Sequence, residues 1–157
     1  GGVISAFIRR ILNDQPPQVH GDGKQTRAFT YIDDIVNGTI LAGEKEAAVG
    51  KTFNIGSNEE TSILELANLI AGLAGKEKYL KPVFMPYKEF YGPFYEDVKR
   101  RVPDIARAGK ILRYKPEISL EEGLLKTLQW YKQHSERLNA LASNDNYALQ
   151  MPETLVR

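Results

Sequence analysis

The apolar positions of this chain fall into helix-like and strand-like stretches from its first residues onward. Val3, Ile4, Phe7, Ile8, Ile11 and Leu12 recur at spacings of three and four, which places them on one face of a helix. No capping residue or lead-in precedes that face, so the sequence opens as if inside a larger protein. The helix is predicted to end near Asn13 and Asp14, because Pro16 and Pro17 bar its continuation. Gln18–His20 then reads as a short strand, and Gly21-Asp22-Gly23 as a tight turn that needs the positive φ glycine tolerates. Residues 27–32, with aromatics at Phe29 and Tyr31, read as the next strand.

Beyond it, Asp33 or Asp34 is predicted to cap a helix reaching about Ala42 and ending at Gly43. Residues 52–55 form another short strand, closed by Gly56. Ser62 and Glu65 have the spacing of a capping box, ahead of an apolar face made by Ile63, Leu66, Ala67, Ile70 and Leu73, with Gly75 as the stop. Residues 82–85 read as a strand and residues 86–97 as an aromatic-rich loop. Asp104 is placed to cap a short helix ending near Arg113, before Pro116. Ser119 and Glu122 make a second capping box for a helix through Leu120, Leu124, Leu128 and Tyr131. The expected organisation is one α/β unit of mixed helices and short strands over residues 1–135, then a polar tail over residues 136–157.

Composition narrows the classes. A length of 157 residues suits one domain, and 42% hydrophobic with 26% charged residues is an ordinary globular balance. No apolar run approaches the roughly 18 residues that a membrane helix needs, and no signal peptide pattern opens the chain. The absence of cysteine removes disulfides, thiolate metal sites and thiol nucleophiles, and fits a cytoplasmic protein. With 21 basic against 20 acidic residues, a nucleic-acid surface is not expected. The cluster Lys99-Arg100-Arg101, directly after Glu96 and Asp97, reads instead as a local anion site. Two histidines and no cysteine give no clustered pattern for a metal.

The stretch from His20 to Asp34 carries the most chemistry. A strand runs into a glycine turn and presents Arg27 early in the following strand. A guanidinium fixed by strand backbone can grip a phosphate with charge-assisted hydrogen bonds. The same spacing also allows Arg27 to pair with Asp33 or Asp34 while the glycines merely turn the chain.

This stretch resembles the motif of extended short-chain dehydrogenase/reductases that act on nucleotide sugars, the NAD-dependent epimerase/dehydratase family. It is most similar to UDP-glucuronate decarboxylases in Gln25-Thr26-Arg27-Ala28-Phe29 and in the later Asp34-x-Val36-Asn37-Gly38. Gly2 to Ile8, Phe53-Asn54-Ile55-Gly56, and Arg101-Val102-Pro103-Asp104 with Ala108 and Gly123 resemble further family landmarks in the same order. The resemblance implies that Arg27 and Arg101 bind the diphosphate. It also implies that Gln18, Val19 and His20 contact the nucleobase, largely through backbone groups. Asp104 would steady the loop or meet ribose hydroxyls, with helix capping as its competing role. Relatives often carry Tyr or Phe at the position of His20 and read Leu-Gly-Trp where this chain has Leu112-Arg113-Tyr114.

The family implies a C-terminal substrate-binding subdomain joined to the last elements of a Rossmann fold. It implies NAD as cofactor on an upstream domain, a nucleotide-sugar substrate carrying UDP or dTDP, and a homodimeric full-length protein. The glycine fingerprint for NAD and the upstream catalytic Tyr-x-x-x-Lys helix are absent here; Tyr95 and Lys99 have that spacing, but in a loop. The segment is therefore expected to bind without catalysing, with residues 28–42 and 52–55 packing onto the missing domain. The alternative is a non-catalytic scaffold or regulator of the same superfamily. Tyr87, Phe90, Tyr91, Phe94 and Tyr95 either line the sugar pocket or pack the loop, and Trp130 and His134 are expected to be structural and solvated, respectively.

Overall fold

The structure is a computed structural model that describes residues 2–78, 80–92, 94 and 97–134, with backbone only at residues 90 and 91. The predicted tail and Tyr95 lie outside the described residues. The elements run α1 (Val3–Leu12), β1 (Gln18–His20), β2 (Thr26–Ala28), α2 (Ile32–Glu44), a 3-10 turn (Glu46–Ala48), β3 (Glu60–Ser62) and α3 (Ile63–Leu73). They continue with β4 (Val83–Met85), α4 (Tyr87–Tyr91), β5 (Arg100–Arg101), α5 (Ala106–Leu112) and α6 (Leu120–Gln133). β1 pairs in parallel with β4, while β2 lies between antiparallel β3 and parallel β5.

The helical faces read from periodicity form the main core. Phe7, Ile8 and Ile11 of α1 meet Leu66, Ala67 and Ile70 of α3, Val19 of β1, and Leu124 and Leu128 of α6. Burying each large apolar side chain stabilises the fold by about 1.5–3 kcal/mol, so this cluster sets where β1 sits. The Ser62 capping box is complete: its hydroxyl accepts from the Glu65 N–H while the Glu65 carboxylate accepts from the Ser62 N–H. The Ser62 N–H, and after it the Ser62 hydroxyl beside the carboxyl, hold Glu65 below its ordinary value. Gly75, at φ +71°, ends α3 as expected. Its N–H reaches the Gly72 carbonyl and the Lys76 N–H reaches that of Ala71, the paired bonds of a Schellman ending.

Several boundaries differ from the sequence reading. Ser119 caps α6, but Glu122 pairs with Lys126 rather than completing a second box. The predicted strand over residues 27–32 shortens to β2, because α2 begins at Ile32 with Tyr31 as its N-cap, and α2 runs on through Gly43. Neither Asp33 nor Asp34 caps it. The buried Asp34 carboxylate instead accepts the Glu117 and Ile118 N–H groups, tying α2 to the loop before α6. Residues 52–55 form no strand ladder in the described chain; Phe53 and Ile55 pack against the second cluster of Ala48, Ala108, Leu112 and Tyr114. β3 and β5 escaped the sequence reading since neither alternates apolar with polar residues, and each exists only through pairing with β2. α4 likewise interrupts the predicted loop.

α2 buries little of its own apolar surface. Ile32, Val36 and Ile40, one stripe at intervals of four, are 60%, 48% and 51% exposed. Its inward face is made by Asp34 and Gly38. A Cβ at Gly38 would stand 2.4 Å from Ile55 Cγ2 and 2.9 Å from the Tyr114 ring, so glycine here is a packing requirement. Burial, then the nearby Asp34 charge, pushes the Tyr114 phenol up, and its hydroxyl donates to the Gly56 carbonyl. Gly38→Ala is expected to lower stability by about 1–3 kcal/mol through overpacking, despite alanine's better helix propensity. Urea unfolding checks this; equal or higher stability would mean that Tyr114 and Ile55 yield freely.

Candidate functional site

The site is assembled where β1 turns into β2. Gly21 and Gly23 both have φ +73°, a conformation that side chains rarely adopt. At Gly21 a Cβ would also stand 2.2 Å from the Tyr87 ring. The turn thereby brings α4 against the end of β1, and the Gly21 N–H donates to the Met85 carbonyl. At Gly23 the same test meets Val19 and Leu64, so this glycine turn is filled by side chains.

From the turn the chain enters β2 and buries Arg27. Its Nη1 donates to the carbonyls of Thr26 and Val98, each at 2.7 Å, and its Nη2 donates to Asp97 Oδ1 at 2.8 Å. The other Asp97 oxygen accepts from the Tyr87 hydroxyl. A guanidinium has five N–H groups, so these three bonds leave Nε and one Nη2 hydrogen for another acceptor. In the parallel ladder Arg27 is register partner to Arg101 of β5. Directly opposed strand residues project to the same face, and both arginines line one cavity of about 940 Å³. That lies within the usual range for a cofactor or small-molecule pocket.

Of the residues expected at the site, Gln18, His20, Arg27 and Arg101 line this cavity. Val19 does not: alternation along β1 points it into the core, fully buried, leaving its backbone in register with Phe84. Asp104 is also absent from the lining, and it does not cap α5 as expected: the N-cap is Ile105, and the Asp104 carboxylate accepts the Ala106 N–H within the turn that leads into the helix. Arg27 pairs with neither Asp33 nor Asp34 but with Asp97. Arg100 faces away to Glu60, whose carboxyl is held below its usual range first by the Thr26 hydroxyl and then by Arg100. Sequence reasoning passed over Gln25, Asp97 and Arg10, which also line the cavity. Gln25 donates to the His20 carbonyl, and its buried Oε1 has no hydrogen-bond partner among the described residues. Its two-residue spacing from Arg27 was the available signal. Nothing in the sequence links Asp97 to a residue seventy positions earlier. Trp130 lies half-exposed and stacks on His134, outside the site.

Comparison with known proteins decides the family. Residues 1–56 match the model of the NAD dependent epimerase/dehydratase family. The UDP-N-acetyl-alpha-D-glucosaminuronate decarboxylase of Bacillus cytotoxicus is 39% identical over 132 residues, 84% of this chain and 40% of that protein. The UDP-glucose 4-epimerase of Thermotoga maritima, solved with UDP-glucose, superposes with a TM-score of 0.75 at 32% identity, over 86% of this chain and 40% of that one. The UDP-glucuronic acid 4-epimerase of Bacillus cereus, in complex with UDP-glucuronic acid and NAD, gives 0.73 at 33% identity, over 84% of this chain and 40% of that one. The chain belongs to the NAD dependent epimerase/dehydratase family.

It spans about 40% of the length of these relatives. NAD is the cofactor of the family, but the described residues do not fit it. The glycine turn leads from strand to strand rather than into a helix N-terminus, and the side chains of Tyr87, Val19 and Leu64 occupy the space a pyrophosphate would need. The charged lining of the cavity consists instead of two strand-borne arginines, Arg27 and Arg101, with Arg10 and Asp97.

The arginines should differ in their structural role. Arg27→Ala leaves Asp97 and two carbonyls without their donor, and is expected to lower stability by about 2–4 kcal/mol. Arg101 is exposed, and Arg101→Ala is expected to stay within about 0.5 kcal/mol. Urea unfolding of both variants compares them; equal losses would contradict the asymmetric burial.

Proposed function

We propose that this chain binds the nucleoside diphosphate of a nucleotide sugar, with UDP or dTDP as the nucleotide. In this reading it forms the C-terminal, sugar-nucleotide-binding portion, residues 1–135, of an NAD-dependent epimerase, dehydratase or decarboxylase. The observation that carries the reading is the β2–β5 register, which sets Arg27 beside Arg101 in one cavity. Two adjacent guanidinium groups suit a ligand with two linked phosphates, and charge-assisted bonds to them supply most of the attraction. The backbone of β1 borders the same cavity and offers polar groups to a base, with Gln18 and His20 at its edge.

Such a site contributes binding energy remote from the reacting carbon and orients the sugar. The chain supplies no catalytic group in this scheme, and alone it is expected to be inactive. The NAD-carrying part of the protein is proposed to cover the α2 stripe of Ile32, Val36 and Ile40. An apolar row of that kind on a helix otherwise faces a core.

Two measurements test this reading. Arg101→Ala and Arg27→Lys should each weaken UDP binding about tenfold or more in calorimetry, the loss of one charge-assisted contact. Unchanged affinity in both variants would remove the two-arginine clamp. Sedimentation of the chain should show concentration-dependent self-association that Val36→Asp with Ile40→Asp abolishes. A monomeric wild-type chain at high concentration argues against a covered stripe.

A further inference from the structure

The cavity that holds the two arginines also holds a carboxylate. Asp97 lines it beside Arg27 and Arg101, with its side chain 22% exposed against 11% for Arg27. It is the more exposed member of the pair and already occupies one Nη2 donor of Arg27 at 2.8 Å. An arriving phosphate needs the same guanidinium and meets a like charge next to it. We infer that Asp97 is an internal competing anion: it holds one donor of Arg27 in the free chain and lowers the affinity of the cavity for anionic occupants.

The surrounding bonds favour competition over support. The Arg27 plane is already set by Nη1, which donates to the Thr26 and Val98 carbonyls. The chain after Asp97 is anchored as well: the Thr26 N–H donates to the Lys99 carbonyl, and β5 follows directly. Release of Asp97 therefore requires rotation of one side chain, with the backbone and the guanidinium left in place. The Tyr87 hydroxyl, bonded to Asp97 Oδ2 at 3.2 Å, holds the carboxylate toward Arg27. A ligand with two phosphates can replace this one carboxylate and also engage Arg101. A neutral nucleoside gains nothing from either arginine.

The inference rests on the diphosphate-binding reading, and calorimetry with three probes separates them. Asp97→Asn should tighten binding of UDP and of inorganic pyrophosphate about tenfold, the effect of removing one like charge a few ångströms away, and leave uridine unchanged. Tyr87→Phe should shift UDP in the same direction by a smaller factor. If Asp97→Asn leaves UDP affinity unchanged or weakens it, Asp97 supports Arg27 and the inference fails. Equal tightening of uridine also overturns it, since the change would then be one of shape. Should Asp97→Asn not fold, Tyr87→Phe decides, and unchanged or weaker UDP binding is the negative result. If neither Arg27→Lys nor Arg101→Ala weakens UDP, the diphosphate reading itself falls; if they do weaken UDP while Asp97→Asn gives no gain, only the competition fails.

Discussion

A guanidinium buried on the central strand of a small sheet needs acceptors, and the way this chain supplies them organises the whole site. Arg27 takes the carbonyl of its own neighbour and that of Val98, and the second bond draws residues 97–101 alongside β2. Once the chain lies there, β5 pairs in parallel and Arg101 arrives as register partner to Arg27. Burial of one charge thus recruits a second. The same bonds bring Asp97 to the cavity, so attraction and repulsion toward an anion come from one arrangement.

Around this sheet the scaffold is conventional packing. α1, α3 and α6 enclose Val19 of β1, which fixes where the strand ends and where the glycine turn must begin. Tyr87 then closes against Gly21 with no room for a Cβ. Farther away, Asp34 clamps the loop before α6 and Tyr114 fills the hollow left by Gly38. These contacts turn the apolar stripe of α2 outward. Two features of the surface therefore differ in kind: the cavity gathers charge, and α2 presents hydrophobic side chains.

The match to longer nucleotide-sugar enzymes is consistent with both features. A region covering about 40% of such proteins, with relatives named as decarboxylases and as epimerases, is one that different reactions share. Binding a nucleotide handle is compatible with several chemistries, because the handle is remote from the bond that changes. The glycine turn illustrates how the family resemblance must be read through geometry. Its residues look permissive of a phosphate loop, yet side chains fill the space above them.

The sequence by itself determined the helices with strong periodicity, the Ser62 cap, the Gly75 ending and the glycine turn, since each depends on residues within a few positions of one another. It also singled out Arg27 and Arg101 through family resemblance, and Gln18 and His20 with them. It could not decide β3 or β5, whose existence depends on a partner strand distant in the chain. Val19 was assigned to the site although alternation along β1 turns it into the core. Asp34 looked like a helix cap, and only folding brought the Glu117 and Ile118 N–H groups to its carboxylate. Asp97 was invisible for the same reason: its meaning is a 2.8 Å contact across the sheet, and tertiary structure alone sets such distances.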